Sequence, residues 1–293
     1  MIDVKTLDLT KINSPSDLIV EEHGFFPRDG RRLFYASFAP TAKPSTGVIF
    51  CSPFAEEKVR TVRVFVSFAR ALASMGVAVL CFDYFGDGDS EGNFEAATFD
   101  DRLLDTNAAF KFLKDKYALD RVGILGLRWG ATLAALCSDN LKPDFRILWE
   151  PVTDSRKYFY DYLRLNVASQ LLNEGKVKKN RDDLIKDLEA GGSIVVEGYV
   201  FTGQFYVQAR EHELAKTAFS HRCPTLIIQI QKNTATIRQD LIDLKGALGG
   251  ADVSAVPKEF EWEKTENWMP APPVLFGTTL EFLEKNGIFG KDI

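Results

Sequence analysis

Residues 121–137 constrain the fold more than any other stretch of the chain. Val122, Gly123, Ile124 and Leu125 form a short apolar run that ends at Gly126. From Trp129 onward, Ala131, Leu133, Ala134, Ala135 and Leu136 are small or helix-forming. That is a strand, a tight turn and a helix, with Gly126 and Gly130 bracketing one central residue. The spacing is that of a nucleophile elbow, G-x-S-x-G, whose glycines let strand and helix pack closely about a strained turn. The central residue here is Arg128 where the motif has Ser. A guanidinium stays protonated at any relevant pH and cannot attack a carbonyl.

The rest of the chain supplies a frame for that turn. Residues 21–26 and 33–38 are strand-like and flank Pro27, Arg28, Asp29 and Gly30, which predicts an antiparallel hairpin. Residues 46–50 and 77–82 read as fully apolar strands. Between them, residues 59–74 carry Val62, Val66, Ala69, Leu72 and Ala73 at helical spacing. An acidic, Gly-rich loop over 83–92, a helix over 98–117 and a strand over 145–149 follow. Strands that are apolar throughout and alternate with helices imply a mainly parallel sheet covered on both faces. The alternation breaks at Pro151. It resumes with a strand over 224–230, a helix over 236–248, a strand over 253–260 and a helix over 273–286. The intervening stretch has helix-like pieces at 158–173 and 182–189, a strand-like piece at 194–196, and a last helix-like piece ending near His221. This predicts a core built from residues 1–150 and 223–293, interrupted by an inserted cap at 151–222.

Composition narrows the partners. A chain of 293 residues, 45% hydrophobic and 26% charged, is long enough for a large core plus an insertion. Its net charge of −5 offers no basic footprint for nucleic acid. The 23 phenylalanines point to a large apolar interior or pocket. The four cysteines, Cys51, Cys81, Cys137 and Cys223, are far apart with no CxxC, so neither a metal site nor a disulfide framework is expected, and no cofactor motif is present. The sequence has no apolar run of membrane-spanning length and no secretory pattern at its start, so a cytoplasmic location is the expectation.

In element order and at the elbow, nearly the whole chain resembles the α/β-hydrolase superfamily. A narrower resemblance rests on Pro53-Phe54-Ala55-Glu56-Glu57, Gly86-Asp87-Gly88-Asp89-Ser90, Gly126-Leu127-Arg128-Trp129-Gly130-Ala131, and Glu197-Gly198-Tyr199. In these motifs the chain is similar to the hydrolase-like proteins associated with exosortase systems. Those proteins share an Arg at the elbow and take their name from fold and gene neighbourhood. The resemblance implies an α/β-hydrolase fold whose usual triad is Ser, Asp or Glu, and His, in that order.

Each of those three roles lacks its residue at the expected place. The acid position, just past Ile230, reads Gln231, Lys232, Asn233, Thr234. The histidine position lies between Phe260 and Pro270, and no His occurs after His221. Cys51 and Cys137 read as small buried hydrophobes, because no His is placed to activate them. His23, His212 and His221 read as surface or capping residues, with only His212 or His221 able to swing over a pocket. Asp83, Asp87, Asp89 and Glu91 fit turn formation better than the twelve-residue calcium loop.

Arg128 itself needs a counter-charge. A cation at a helix start opposes the macrodipole, at about 0.3–1 kcal/mol. Glu56, Glu57 and Glu150 stand at strand ends on the same edge and are its candidate partners. In one reading a fixed ion pair plugs the former active site. In the other, Arg128, the N–H of Trp129 and the N–H of Phe54 converge on an anion. Two functions therefore stay open. One is a pseudoenzyme that binds a small anionic or acyl-bearing ligand, or a protein partner, with no catalytic residue of its own. The other is an acyl hydrolase or transferase rebuilt around acids such as Glu57 and Glu150.

Overall fold

Asp29 and Gly30 both take positive φ, 49° and 80°. That left-handed pair has the twist a two-residue hairpin needs. Strand β1 (Ile19–Arg28) accordingly runs back along β2 (Arg31–Pro40). The computed structural model describes residues 18–263 and 271–289. After the hairpin come β3 (Thr46–Cys51), α1 (Glu56–Ser74), β4 (Val77–Phe82), α2 (Phe99–Tyr117), β5 (Arg121–Leu127), α3 (Trp129–Leu141) and β6 (Arg146–Trp149). The sheet later regains β9 (Thr225–Ile230) and β10 (Asp252–Val256), with α8 (Gln239–Ala247) between them and α9 (Pro273–Lys285) at the end. The strand order is β1-β2-β4-β3-β5-β6-β9-β10, and only the β1–β2 and β2–β4 pairs are antiparallel.

Alternate residues of each strand feed opposite layers, as a period of two requires. Val48 and Phe50 face Phe65, Phe68 and Leu72 of α1 and Phe276 of α9. Ile49, Ile124 and Leu148 face the other layer, with Leu113 of α2, Leu133 of α3 and Leu244 of α8.

The hairpin is fastened to α2 through charge. Thr98 and Asp101 form a capping box at the start of α2. Asp101 also accepts from Arg28 at 2.8 Å and from Arg31, while Arg28 reaches Asp105 at 2.7 Å. Burial opposes the Asp101 charge, but the bonds from Thr98, Arg28 and Arg31 outweigh it and hold the carboxyl at about 2. A folded-state value below the unfolded one gives stability that is present above about pH 4 and lost as pH falls toward 2. Asp101→Asn is therefore expected to cost roughly 1.5–3 kcal/mol at pH 7, with the difference from wild type closing below pH 4. Urea melts at pH 7 and pH 3 measure this, and a difference that does not shrink would refute it.

The inserted stretch differs from expectation in detail. The helix expected over 158–173 is two helices, α4 (Ser155–Tyr162) and α5 (Arg164–Glu174), joined at Leu163. Phe159, Tyr162 and Leu163 are buried whereas α5 buries none of its residues, so the direction changes where core contact ends. Then α6 (Arg181–Glu189) leads to a second small sheet, β7 (Ser193–Val196) with β8 (Tyr199–Thr202), followed by α7 (Gly203–Ala209). Its turn is Glu197-Gly198, with φ of 50° and 88°. The strand expected to reach Phe260 stops at Val256, and α8 starts at Gln239, where the Gln229 side-chain Oε1 accepts the Arg238 N–H.

The stretch leaves and rejoins the sheet at one place. Glu150 donates its N–H to Ile228 O at 2.6 Å and its carboxylate accepts from Ile230 N–H at 2.5 Å and from Arg238. One step further out, Leu214 N–H donates to Thr153 O at 2.8 Å and Ser155 N–H to His212 O at 3.0 Å. Among the described residues, no helix is long and apolar enough to cross a membrane.

Candidate functional site

The elbow exists although its serine does not. Arg128 caps α3 with φ 55° and ψ −125°, a backbone region that costs a non-glycine residue on the order of 1–3 kcal/mol. Its N–H donates to Trp149 O at 2.9 Å, and its carbonyl accepts from Ala131 N–H at 3.0 Å. A Cβ on Gly130 would collide with the Cys51 and Ser52 carbonyls, and one on Gly126 with the backbone of Gly130 and Ala131. The glycines are therefore required by the packing of α3 against β3 and β5, whatever residue stands between them. Ala55, at the cap of α1, has nearly the same geometry, φ 50° and ψ −125°. The second elbow starts α1 at the same sheet edge, three residues before the helix expected at Val59, and puts Glu57 in its first turn.

Two elbows thus bring one acid to one base. Arg128 Nη2 lies 3.4 Å from Glu57 Oε1, with the side chains only 18% and 16% exposed. The guanidinium also lies 5.6 Å from the Tyr158 ring and 5.2 Å from the Trp262 ring. Burial pushes the Glu57 carboxyl above the usual carboxylate range, with the Arg128 charge pulling against it. Burial works against the Arg128 charge too, but Glu57, Tyr158 and Glu150 together outweigh it and the guanidinium stays protonated. Burial and the nearby Glu57 hold the Tyr158 hydroxyl well above its ordinary value, so it remains a donor. Around this pair, Glu57 Oε2, Arg128 Nε, Tyr158 Oη, Trp262 Nε1 and Arg60 Nε are buried without a hydrogen-bond partner. All five side chains line one cavity of about 270 Å³, with Tyr162 and Leu165. A wider cleft of about 680 Å³, lined by Glu150, Lys157, Arg238 and Asp240, adjoins it and shares Arg128, Tyr158 and Arg164.

Of the three carboxylates expected near Arg128, Glu57 alone pairs with it among the described residues. Glu56 leans to Arg60 at 3.8 Å, as an i,i+4 pair along α1. Glu150 is spent on Ile230 and Arg238, because the positive φ of 43° after β6 turns it toward β9. Phe54 and Trp129 are buried side chains in an aromatic pack. Phe54 lies 5.3–5.8 Å from the rings of Trp129, Phe159, Tyr162, Phe201 and Phe205, and the Trp129 indole donates to Ser155 Oγ at 3.3 Å. The rings fill the space between the elbow and the inserted stretch. Tyr158, Trp262 and Arg60 were not foreseen from sequence, since aromatic and basic residues in amphipathic stretches carry no motif.

Residues 40–228, which contain the elbow, match the family described as serine aminopeptidase, S33. The chain belongs to that family. Est1E from Butyrivibrio proteoclasticus, solved with ferulic acid bound, superposes with a TM-score of 0.67 at 16% identity, over 90% of this chain and 98% of that one. Mouse alpha/beta hydrolase domain-containing protein 10 gives 0.59 at 18%, over 90% and 98%. An esterase from Pyrococcus furiosus gives 0.58 at 17%, over 94% of each chain. At such identities the likeness establishes the α/β-hydrolase fold. No curated protein matches the sequence.

Other polar groups of this S33-family chain are occupied elsewhere. Gln231, at the expected acid position, bonds to the carbonyl of Asn233 at 2.5 Å. The stretch 264–269, most of the expected histidine position, lies outside the described residues. Burial pushes the Cys51 thiol up to about 12, and raises Cys137 as well. His212 stacks on Phe99 at 4.3 Å, and His221 bonds to Pro143 O at 2.8 Å. In the acidic loop, Asp83 pairs with Lys58 at 2.5 Å and Asp87 with Arg102. Among the described residues, no group of His, Cys, Asp and Glu is arranged to hold a metal ion.

Proposed function

We propose that this S33-family protein is a non-catalytic member that binds a small anionic or acyl-bearing ligand at Arg128. The observation that carries the reading is that four side chains lining one cavity, Arg128, Tyr158, Trp262 and Arg60, each keep a buried donor without a partner, beside a cation that replaces the nucleophile. Such groups cost on the order of 1–3 kcal/mol each when buried unsatisfied, so an oxygen-rich ligand recovers stability that the free protein lacks. The ferulic acid of the Est1E structure is an aromatic carboxylic acid, in keeping with that class. The Arg elbow, the Pro53–Glu57 segment and the Glu197-Gly198-Tyr199 turn favour membership of the exosortase-associated group, working in the cytoplasm on a small ligand or with a protein partner. The test is a thermal-shift panel of short acyl carboxylates and acyl phosphates. Saturable stabilisation by at least one, lost in Arg128→Gln, supports the reading, and no shift from any of them overturns it.

One observation favours a second reading. A carboxyl raised by burial beside a cation and a phenol, as at Glu57, Arg128 and Tyr158, is the environment of a general acid. A rebuilt acyl hydrolase would turn over p-nitrophenyl esters or acyl thioesters, keep that turnover through fresh repurification, and lose it in Arg128→Ala. The binding reading expects none, and no labelling of a serine by a fluorophosphonate. It also expects Arg128→Ser to remain inactive although G-x-S-x-G is restored. A serine without a base stays a weak nucleophile, and oxyanion donors alone leave a residual rate near detection. Strong p-nitrophenyl acetate turnover by Arg128→Ser would defeat the binding reading.

A further inference from the structure

Arg128 has one carboxylate partner among the described residues, and that partner is held loosely. The single contact to Glu57 is 3.4 Å, longer than a charge-assisted bond prefers, and neither Glu57 Oε2 nor Arg128 Nε is satisfied by it. Apart from Arg164, the other charges around the cavity have partners of their own. Arg60 of α1 holds Glu197 of the β7–β8 turn at 2.9 Å, and Glu56 of the same helix leans to Arg60. Asp161 of α4 pairs with Arg181 at 3.2 Å, and Glu263 faces Lys258 at 3.7 Å. Arg164 of α5 lines the cavity with no charged partner among the described residues, and Tyr158 and Tyr162 of α4 are buried phenols that stay protonated. Glu57 is therefore the one carboxylate that a ligand anion must displace from Arg128.

The size of the cavity suggests what the anion belongs to. About 270 Å³ holds a molecule of roughly ten heavy atoms, given that one water takes about 30 Å³. Its apolar lining is Tyr158, Tyr162, Trp262 and Leu165, set among charged side chains, which suits a small aromatic body carrying one charge.

Resting on the anion-binding reading above, we propose that the cavity takes a small aromatic monocarboxylic acid, whose carboxylate replaces Glu57 on Arg128 while Glu57 takes up one proton. The balance is simple: the ligand carboxylate and one proton from solvent enter together, and the site keeps its net charge. Two carboxylates on one guanidinium in a buried site would repel, and the one that has lost its cation is the one that protonates. The protonated Glu57 then carries an O–H that donates to the incoming carboxylate, which satisfies both of its oxygens.

Calorimetric titration of the full chain with benzoate tests this in two buffers of different ionisation heat, across pH 5 to 9. The expected result is a heat that changes with buffer in proportion to about one proton taken up, and an affinity that falls about tenfold per pH unit where uptake is complete. Glu57→Gln should still bind, with no dependence on buffer heat and none on pH over that range. Benzoate binding by wild type without proton uptake at any pH overturns the coupling and leaves the anion site standing. Binding of acyl phosphates but not benzoate overturns the ligand class. Failure of every anion to bind removes the underlying reading as well.

Discussion

Arg128→Ala should lose roughly 2–4 kcal/mol of stability at pH 8 and much less near pH 5. Removing one partner of a buried ion pair costs about 3–5 kcal/mol because the other charge is stranded. Relief of the opposition between Arg128 and the α3 dipole returns about 0.3–1 kcal/mol. The elbow strain is unchanged, since Ala at φ 55° is no more at ease than Arg. The pH dependence follows from Glu57. Its folded-state value is already raised by burial, and losing Arg128 removes the main influence holding it down. A carboxyl raised in the folded state adds stability that is present below the unfolded value, near 4, and lost as pH rises through the folded one. The variant therefore recovers as Glu57 protonates. Adding Glu57→Gln to Arg128→Ala should restore stability at pH 8, with a coupling of about 1–3 kcal/mol in the double-mutant cycle. Paired urea melts without ligand decide this, and a neutral Arg128→Ala at pH 8 would mean that Glu57 is not stranded.

Phe54→Ala should cost about 3–5 kcal/mol, the range for deleting a fully enclosed aromatic ring. The side chain is 3% exposed and touches rings from four sources: Phe94 ahead of α2, Trp129 of the elbow helix, Phe159 and Tyr162 of α4, and Phe201 with Phe205 around β8 and α7. No neighbour can move into the space without leaving its own partners, so the void should persist. It would lie beside the elbow, where the wild type is filled. Phe54→Ala is expected to melt earlier in urea and to be partly rescued by benzene or indole, ligands the wild type has no room for there. A loss under 1 kcal/mol would show that the rings repack.

Much of the core was legible because its signals are local. Apolar runs with Gly or Pro at their ends located β3, β4, β5, β6 and β9, and Asp29-Gly30 located the hairpin. The break at Pro151 and the return at Pro224 marked where the chain leaves the sheet and comes back. Legibility failed where tertiary contact decides. The bend at Leu163 depends on where burial stops, which periodicity over 158–173 does not report. The second elbow was missed because Ala55 at φ 50° breaks the usual preference for glycine. Without it, Glu57 could not be told from Glu56 or Glu150 as the partner of Arg128. Trp262 and Tyr158 reach the site from stretches far apart in sequence, and nothing local points them at one another.

The paired contacts at the root of the inserted stretch bear on what that stretch can become. Glu150 is tied to Ile228, Ile230 and Arg238, and one step out residues 153 and 155 meet 214 and 212. Chain ends held side by side make the length of what hangs between them almost irrelevant to the sheet, since doubling a closed loop adds only about 0.6 kcal/mol of closure entropy. Parts of the stretch that bury nothing, such as α5, can therefore change length or surface at little entropic cost to the strands, while Phe159, Phe201 and Phe205 stay packed on the elbow. The walls of the Arg128 cavity divide along the same line. Arg128 and Glu57 stand on the sheet side, fixed by two strained turns, and Tyr158, Tyr162 and Leu165 on the side of the tied stretch. In the proposed reading, the cation that meets a ligand's charge is rooted in the sheet, and the wall that meets the rest of the ligand is hung from it at both ends.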